Sequence, residues 1–149
     1  MTVEDKISFE INPNRGCDFL LFDEKRENIR QMLDNKYTLS KTQENVDFYN
    51  VFSLEFKDDR LVCIEFFDDE NLQVIFNGKN INNILFKEAY YYIKKYDEDI
   101  KLIKDFNCAI SLKYGIIISG IDYENYFDNN VCCIDVTKNG YITSDDFQL

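Results

Sequence analysis

The chain of 149 residues contains no histidine and no tryptophan, one proline and five glycines. Without histidine there is no Ser-His-Asp or Cys-His catalysis, and the usual general base near neutral pH is missing. Any enzymatic reading must rest on carboxylates, tyrosines, lysines or a cofactor. No run of about 18 apolar residues occurs, so no membrane-spanning helix is expected. Basic residues are few as well, 17 against 28 acids, for a net charge of −11. Nucleic acid and anionic lipid are therefore poor partners, because their affinity rests on cationic contacts to phosphate. The start, Met1-Thr2-Val3-Glu4-Asp5-Lys6, lacks the basic and apolar segments of a signal peptide, which leads to the expectation of a cytoplasmic protein.

The composition is 45% apolar and 15% aromatic, enough for a real core. A chain of this length buries roughly two thirds of its unfolded surface and suits one domain, expected over residues 1–149. Cys17, Cys63, Cys108, Cys132 and Cys133 form an odd set with no C-x-x-C, so they read as reduced, mostly buried thiols. No metal and no cofactor are expected. The acidic stretches 68–71 and 122–128 lack the D-x-[DN]-x-[DN]-G spacing of a calcium loop.

Alternation over residues 5–11 places Ile7, Phe9 and Ile11 on one face of a strand. The turn around Pro13 and Gly16 holds a single glycine and no Gly-Lys-Ser/Thr, so it reads as the lead-in to a helix and not as a phosphate cradle. Asp23 is the expected N-cap of that helix, with Ile29, Met32 and Leu33 as its apolar stripe. Residues 35–46 are polar and expected to form a loop. Strands follow over 48–56, 62–66 and 72–76 as an antiparallel meander, then a helix over about 84–96 with Phe86, Ala89, Tyr90 and Ile93 facing inward. Further strands are expected at 108–112, 116–121 and 131–136. The reading is an α+β fold with a largely antiparallel sheet and two helices packed on one face. Residues 7–67 and 72–136 repeat a strand-helix-strand-strand order, as a duplicated unit would.

The acidity is local. Residues 44–70 carry nine acids and two bases, and residues 122–149 six acids and one base. A negative surface of this kind favours a basic protein partner. The expected partner-binding residues are Asp58, Asp59, Asp68, Asp69, Glu70, Asp122, Glu124 and Asp128, with Tyr123, Tyr126 and Phe127 as aromatic anchors. No catalytic residues are assigned. A small carboxylate-dependent hydrolase and an acidic adaptor for another basic protein are the alternatives.

Several segments carry a resemblance. They are Gly16-Cys17-Asp18-Phe19-Leu20-Leu21-Phe22, Arg26-Glu27-Asn28-Ile29-Arg30, Leu54-Glu55-Phe56, Arg60-Leu61-Val62-Cys63-Ile64-Glu65-Phe66 and Val74-Ile75-Phe76-Asn77-Gly78, then Tyr114-Gly115-Ile116, Ile134-Asp135-Val136 and Gly140-Tyr141. With them the chain resembles small cytoplasmic immunity proteins of bacterial polymorphic-toxin and contact-dependent growth inhibition systems. Asp23 stands where that group has a glycine. The resemblance implies a non-enzymatic inhibitor that binds one cognate toxin domain. Such toxins are often nucleases with basic grooves.

Overall fold

In the computed structural model, residues 6–120, 125–143 and 146 are described. The fold is α+β, with two helices and mostly antiparallel sheets. Strand β1 (Ile7–Asn12) buries Phe9 and Ile11 and turns Ser8, Glu10 and Asn12 outward, as its alternation predicts. Two short strands, β2 (Gly16–Cys17) and β3 (Leu20–Leu21), fold back beside it. Helix α1 (Arg26–Leu33) follows. A four-strand meander comes next: β4 (Lys41–Gln43), β5 (Val46–Phe48), β6 (Phe52–Lys57) and β7 (Arg60–Phe67).

The second half repeats this order. It has a hairpin of β8 (Leu72–Phe76) and β9 (Lys79–Asn80), helix α2 (Phe86–Lys94), and a meander of β10 (Lys101–Ile103), β11 (Cys108–Ser111), β12 (Ile116–Ser119) and β13 (Cys133–Thr137). The expected duplication is thus present in connectivity. It extends to the helix starts. The Arg26 N–H donates to the Asp59 carbonyl at 3.0 Å, and the Phe86 N–H to the Asn129 carbonyl at 2.7 Å. The residue before each helix also bridges to the approach of the last meander strand, Lys25 to Arg60 and Leu85 to Asn130. Backbone carbonyls from the meander therefore satisfy first-turn donors that side-chain caps leave open.

Four expectations need correction. Asp23 is not the N-cap. Its φ of 70° is left-handed, whereas an N-cap residue is extended, and Lys25 takes that place with no side-chain cap bond. A glycine would accept the Asp23 conformation without strain. Met32 is exposed, and Ile29 and Leu33 alone bury the α1 face. Within the expected loop 35–46, β4 is an edge strand with all three residues exposed, so its polarity reflects its position and not a lack of structure. Finally, the strand at 72–76 does not close the first meander. It crosses to a second sheet and lies parallel to β1, with Ile7 opposite Leu72 and Phe9 opposite Val74. The Asn82 amide fixes the crossing by donating to the Phe67 carbonyl at 3.3 Å and the Leu72 carbonyl at 3.1 Å.

There are accordingly two sheets where one was expected. The smaller runs β3-β2-β1-β8-β9 and the larger β10-β11-β12-β13-β7-β6-β5-β4. The halves meet in both, through β1 with β8 and through β7 with β13. One core takes in Ile29 and Leu33 of α1, Phe86, Ala89, Tyr90 and Ile93 of α2, and Phe9, Phe52, Phe66 and Phe76 from the sheets. Among the described residues, no helix is long and apolar enough to cross a membrane.

Candidate functional site

The expected acidic turns lie at two ends of the larger sheet. Asp58 and Asp59 form the tip of the β6–β7 hairpin, both exposed and both at positive φ, as such tight turns require. Asp68, Asp69 and Glu70 follow the far end of β7, about 25 Å away along the strand. Because β13 runs antiparallel to β7 with Cys133 opposite Phe67, residues 126–128 sit at the Asp68 end. Asp69 is half-buried, and its Oδ1 accepts the Asn71 N–H at 2.9 Å. Asp128 pairs with Lys87 at 3.1 Å. Tyr126 is buried edge-on against Phe86, with ring centroids 5.0 Å apart. Phe127 is half-buried among Phe86, Tyr90 and Tyr91. The Tyr126 ring is thus committed to the chain's own core. Asp122, Tyr123 and Glu124 lie outside the described residues.

Two clusters that spacing along the chain did not indicate are assembled by the fold. The first centres on Asp47 of β5, which has no exposed side-chain surface. It accepts hydrogen bonds from Arg30 Nε at 2.8 Å, Arg26 Nε at 3.2 Å and Thr42 Oγ1 at 3.1 Å. Burial alone would raise its pKa, but the bonds from Arg30 and Arg26 outweigh that and bring it to about 2.

The second lies on the face of the larger sheet that looks away from the main core. One cross-strand row runs over all eight strands: Lys101, Ile110, Ile117, Asp135, Glu65, Ser53, Phe48 and Lys41. The β7–β13 register is symmetric about its central pair, Glu65 opposite Asp135, with Cys63 and Cys133 two residues to either side. Glu55 on β6 stands opposite Cys63 and diagonal to Glu65, and its Oε2 accepts a hydrogen bond from the Tyr141 hydroxyl. Beyond Tyr141, Ile142 packs on Cys108, Ile110 and Ile117, so the segment after β13 covers part of this face.

Like charges directly opposite one another on a sheet repel. Burial, then the Glu65 charge and hydrogen bond, then the Glu55 charge push the Asp135 pKa well above the carboxylate range. One ligand atom each from Glu65, Cys133 and Asp135 lie within 4.8 Å of one another, and among the described residues these three have the spacing to hold a metal ion. Burial raises the Cys133 thiol pKa, so it offers a neutral and therefore weak ligand near pH 7.

The raised pKa has a sign. The folded state binds a proton at Asp135 that the unfolded chain releases near pH 4. The contribution of Asp135 to stability is therefore fully present below that pH and is lost as pH rises through the folded value. Asp135→Asn is expected to stabilise the protein by about 1–2 kcal/mol at pH 8 and to change little at pH 4. Urea unfolding at the two pH values measures this.

Sequence reasoning missed this row because Glu65 and Asp135 are 70 residues apart. The one local signal was an acid at each centre of two apolar strands, Ile64-Glu65-Phe66 and Ile134-Asp135-Val136. No family model, curated protein or solved structure matches this chain.

Proposed function

We propose that the chain is a non-enzymatic immunity protein that binds and masks a basic toxin domain, a nuclease being the favoured target. The observation that carries this reading is an excess of acid that the chain does not neutralise itself. Among the described residues, ion pairs engage only Asp23, Asp47 and Asp128. The exposed Asp58, Asp59, Asp68 and Glu70 enter none. Uncompensated charge of one sign disfavours the compact state, while it speeds and directs docking onto a surface of the opposite sign.

Co-purification with the product of the neighbouring upstream gene tests the proposal. A complex is expected, and its association rate should fall steeply as salt rises from about 0.05 to 0.5 M, where the screening length shrinks to a few ångströms. Neutralising Asp68 and Glu70 together should slow association with little change in dissociation. Failure to form a complex, with the gene dispensable beside its neighbour, would end the proposal.

A carboxylate-dependent hydrolase is the second reading, and the Glu65–Asp135 pair is the observation that favours it. A carboxyl that keeps its proton beside a second carboxyl group has the arrangement of a general acid. The adjoining cavity, however, is lined by Glu55 and Glu65 and not by Asp135. Glu65→Gln would abolish turnover in a hydrolase, whereas in an inhibitor it lowers affinity in a graded way.

A further inference from the structure

A cavity of about 190 Å³ opens over β5, β6 and β7 on the face that carries the carboxylate row. Its walls are Val46, Phe48, Ser53, Glu55, Cys63 and Glu65. Two rows of the sheet make it: Phe48, Ser53 and Glu65 in one, Val46, Glu55 and Cys63 in the next. Ser53 and Cys63 form the floor, being 6% and 9% exposed. Ser53 is a largely buried residue that borders the cavity, and no hydrogen bond engages its hydroxyl among the described residues. An unpartnered hydroxyl facing a cavity offers a ligand both a donor and an acceptor.

We propose that this cavity is a slot for one arginine side chain of a protein partner, its guanidinium held between the Glu55 and Glu65 carboxylates and bonded to the Ser53 hydroxyl.

The inference rests on the reading of the chain as an acidic binding protein and names the chemistry of one contact. No basic side chain lines the cavity, and no ion pair reaches Glu55 or Glu65 among the described residues. The nearest cation on this row is Lys41, whose Nζ lies 5.8 Å from the Phe48 ring centroid. That placement shows the Phe48 face already attracting a positive charge from the rim. Arginine suits the slot better than lysine. Its planar fork offers five donors to two carboxylates and a hydroxyl set around it, and its flat face stacks on Phe48. Val46 receives the aliphatic stem. Neutralising Glu55 and Glu65 also relieves the repulsion they exert on Asp135.

The test uses the full chain, isotope-labelled for amide NMR, and the blocked peptide Gly-Gly-Arg-Gly-Gly, with lysine and citrulline versions as controls. The expected shifts cluster at residues 46–48, 53–55 and 63–65. Citrulline, flat but neutral, should bind about tenfold more weakly or not at all, and lysine should fall between them. Glu55→Gln/Glu65→Gln should abolish the shifts and keep its melting temperature, since it removes charge from a repelling row. Ser53→Ala should weaken arginine binding severalfold. Equal binding of arginine and citrulline, shifts confined to the 58–59 and 68–70 turns, no binding, or an unchanged response in the double variant would each overturn the slot. A complex with the neighbouring gene product that survives in the double variant at full affinity would remove the slot and leave the proposed function standing.

Discussion

Asp47→Asn should lower the unfolding free energy at pH 7 by about 3 kcal/mol, because removing one partner of a buried ion pair leaves the others uncompensated. Arg26 is only 15% exposed, and its Nη2 lies 2.5 Å from Asp47 Oδ1. Arg30 is more open, which keeps the loss toward the lower end of such effects. Asparagine fits the space but supplies one acceptor oxygen where Arg26, Arg30 and Thr42 now find two. The pH dependence identifies the cause. The folded pKa lies below the unfolded one, so the contribution is complete above about pH 4 and is lost as pH falls toward 2. Urea unfolding at pH 7 and pH 2.5 should therefore show a large gap between wild type and variant that narrows in acid. The duplication suggests a rescue. Arg26 and Arg30 are the first and fifth residues of α1, and the first and fifth of α2 are Phe86 and Tyr90, both buried. Replacing Asp47, Arg26 and Arg30 together by apolar residues should recover most of the loss.

Gly16→Ala should be at least as damaging, with an expected loss of about 3 kcal/mol or more, or roughly 6–12 °C in melting temperature. The backbone there has φ of 134°, which side-chain-bearing residues rarely adopt. A Cβ would sit 2.0 Å from the Leu20 carbonyl oxygen and 3.1 Å from the Leu21 Cα, both backbone atoms in the adjacent strand. The β2–β3 pair cannot yield without moving Leu20, which is fully buried. Gly78 separates strain from collision. Its φ is 82° and nothing lies within 4 Å of the point a Cβ would occupy, so Gly78→Ala should cost only about 1 kcal/mol. Thermal melts of the two variants side by side make the comparison.

These sites mark where the sequence could and could not be read. Gly16 was legible as a turn, because a lone proline and a glycine punctuate an alternating strand. Its contact with Leu20 was not, since alternation identifies a strand but not what lies across it. The same limit put residues 72–76 in the wrong sheet: Leu72, Val74 and Phe76 announce a half-buried strand equally well beside β7 or beside β1. The polar residues of β4 were silent because an edge strand buries nothing. Tyr126 and Phe127 sit in a run of acids and asparagines, so composition placed them outside, yet a short 3-10 turn directs them toward α2. The acidic turns were read directly, being local. Asp47 with its arginines, and Glu65 with Asp135, were beyond reach because each joins residues from 17 to 70 positions apart.

The interlocking of the halves bears on synthesis. When the first 67 residues have left the ribosome, β1 and β7 both present open edges, since the strands that cover them, β8 and β13, are still to emerge. At about 5–20 residues per second, the last of those partners arrives roughly 4–14 s later. The edge of β1 is covered within about 2 s, once β8 follows, but through the rest of that interval β7 carries a bare ladder of N–H and C=O groups, the feature that draws chains into aggregates. A holding chaperone at the tunnel exit would thus raise the yield of this protein more than that of one whose sheets close within each half.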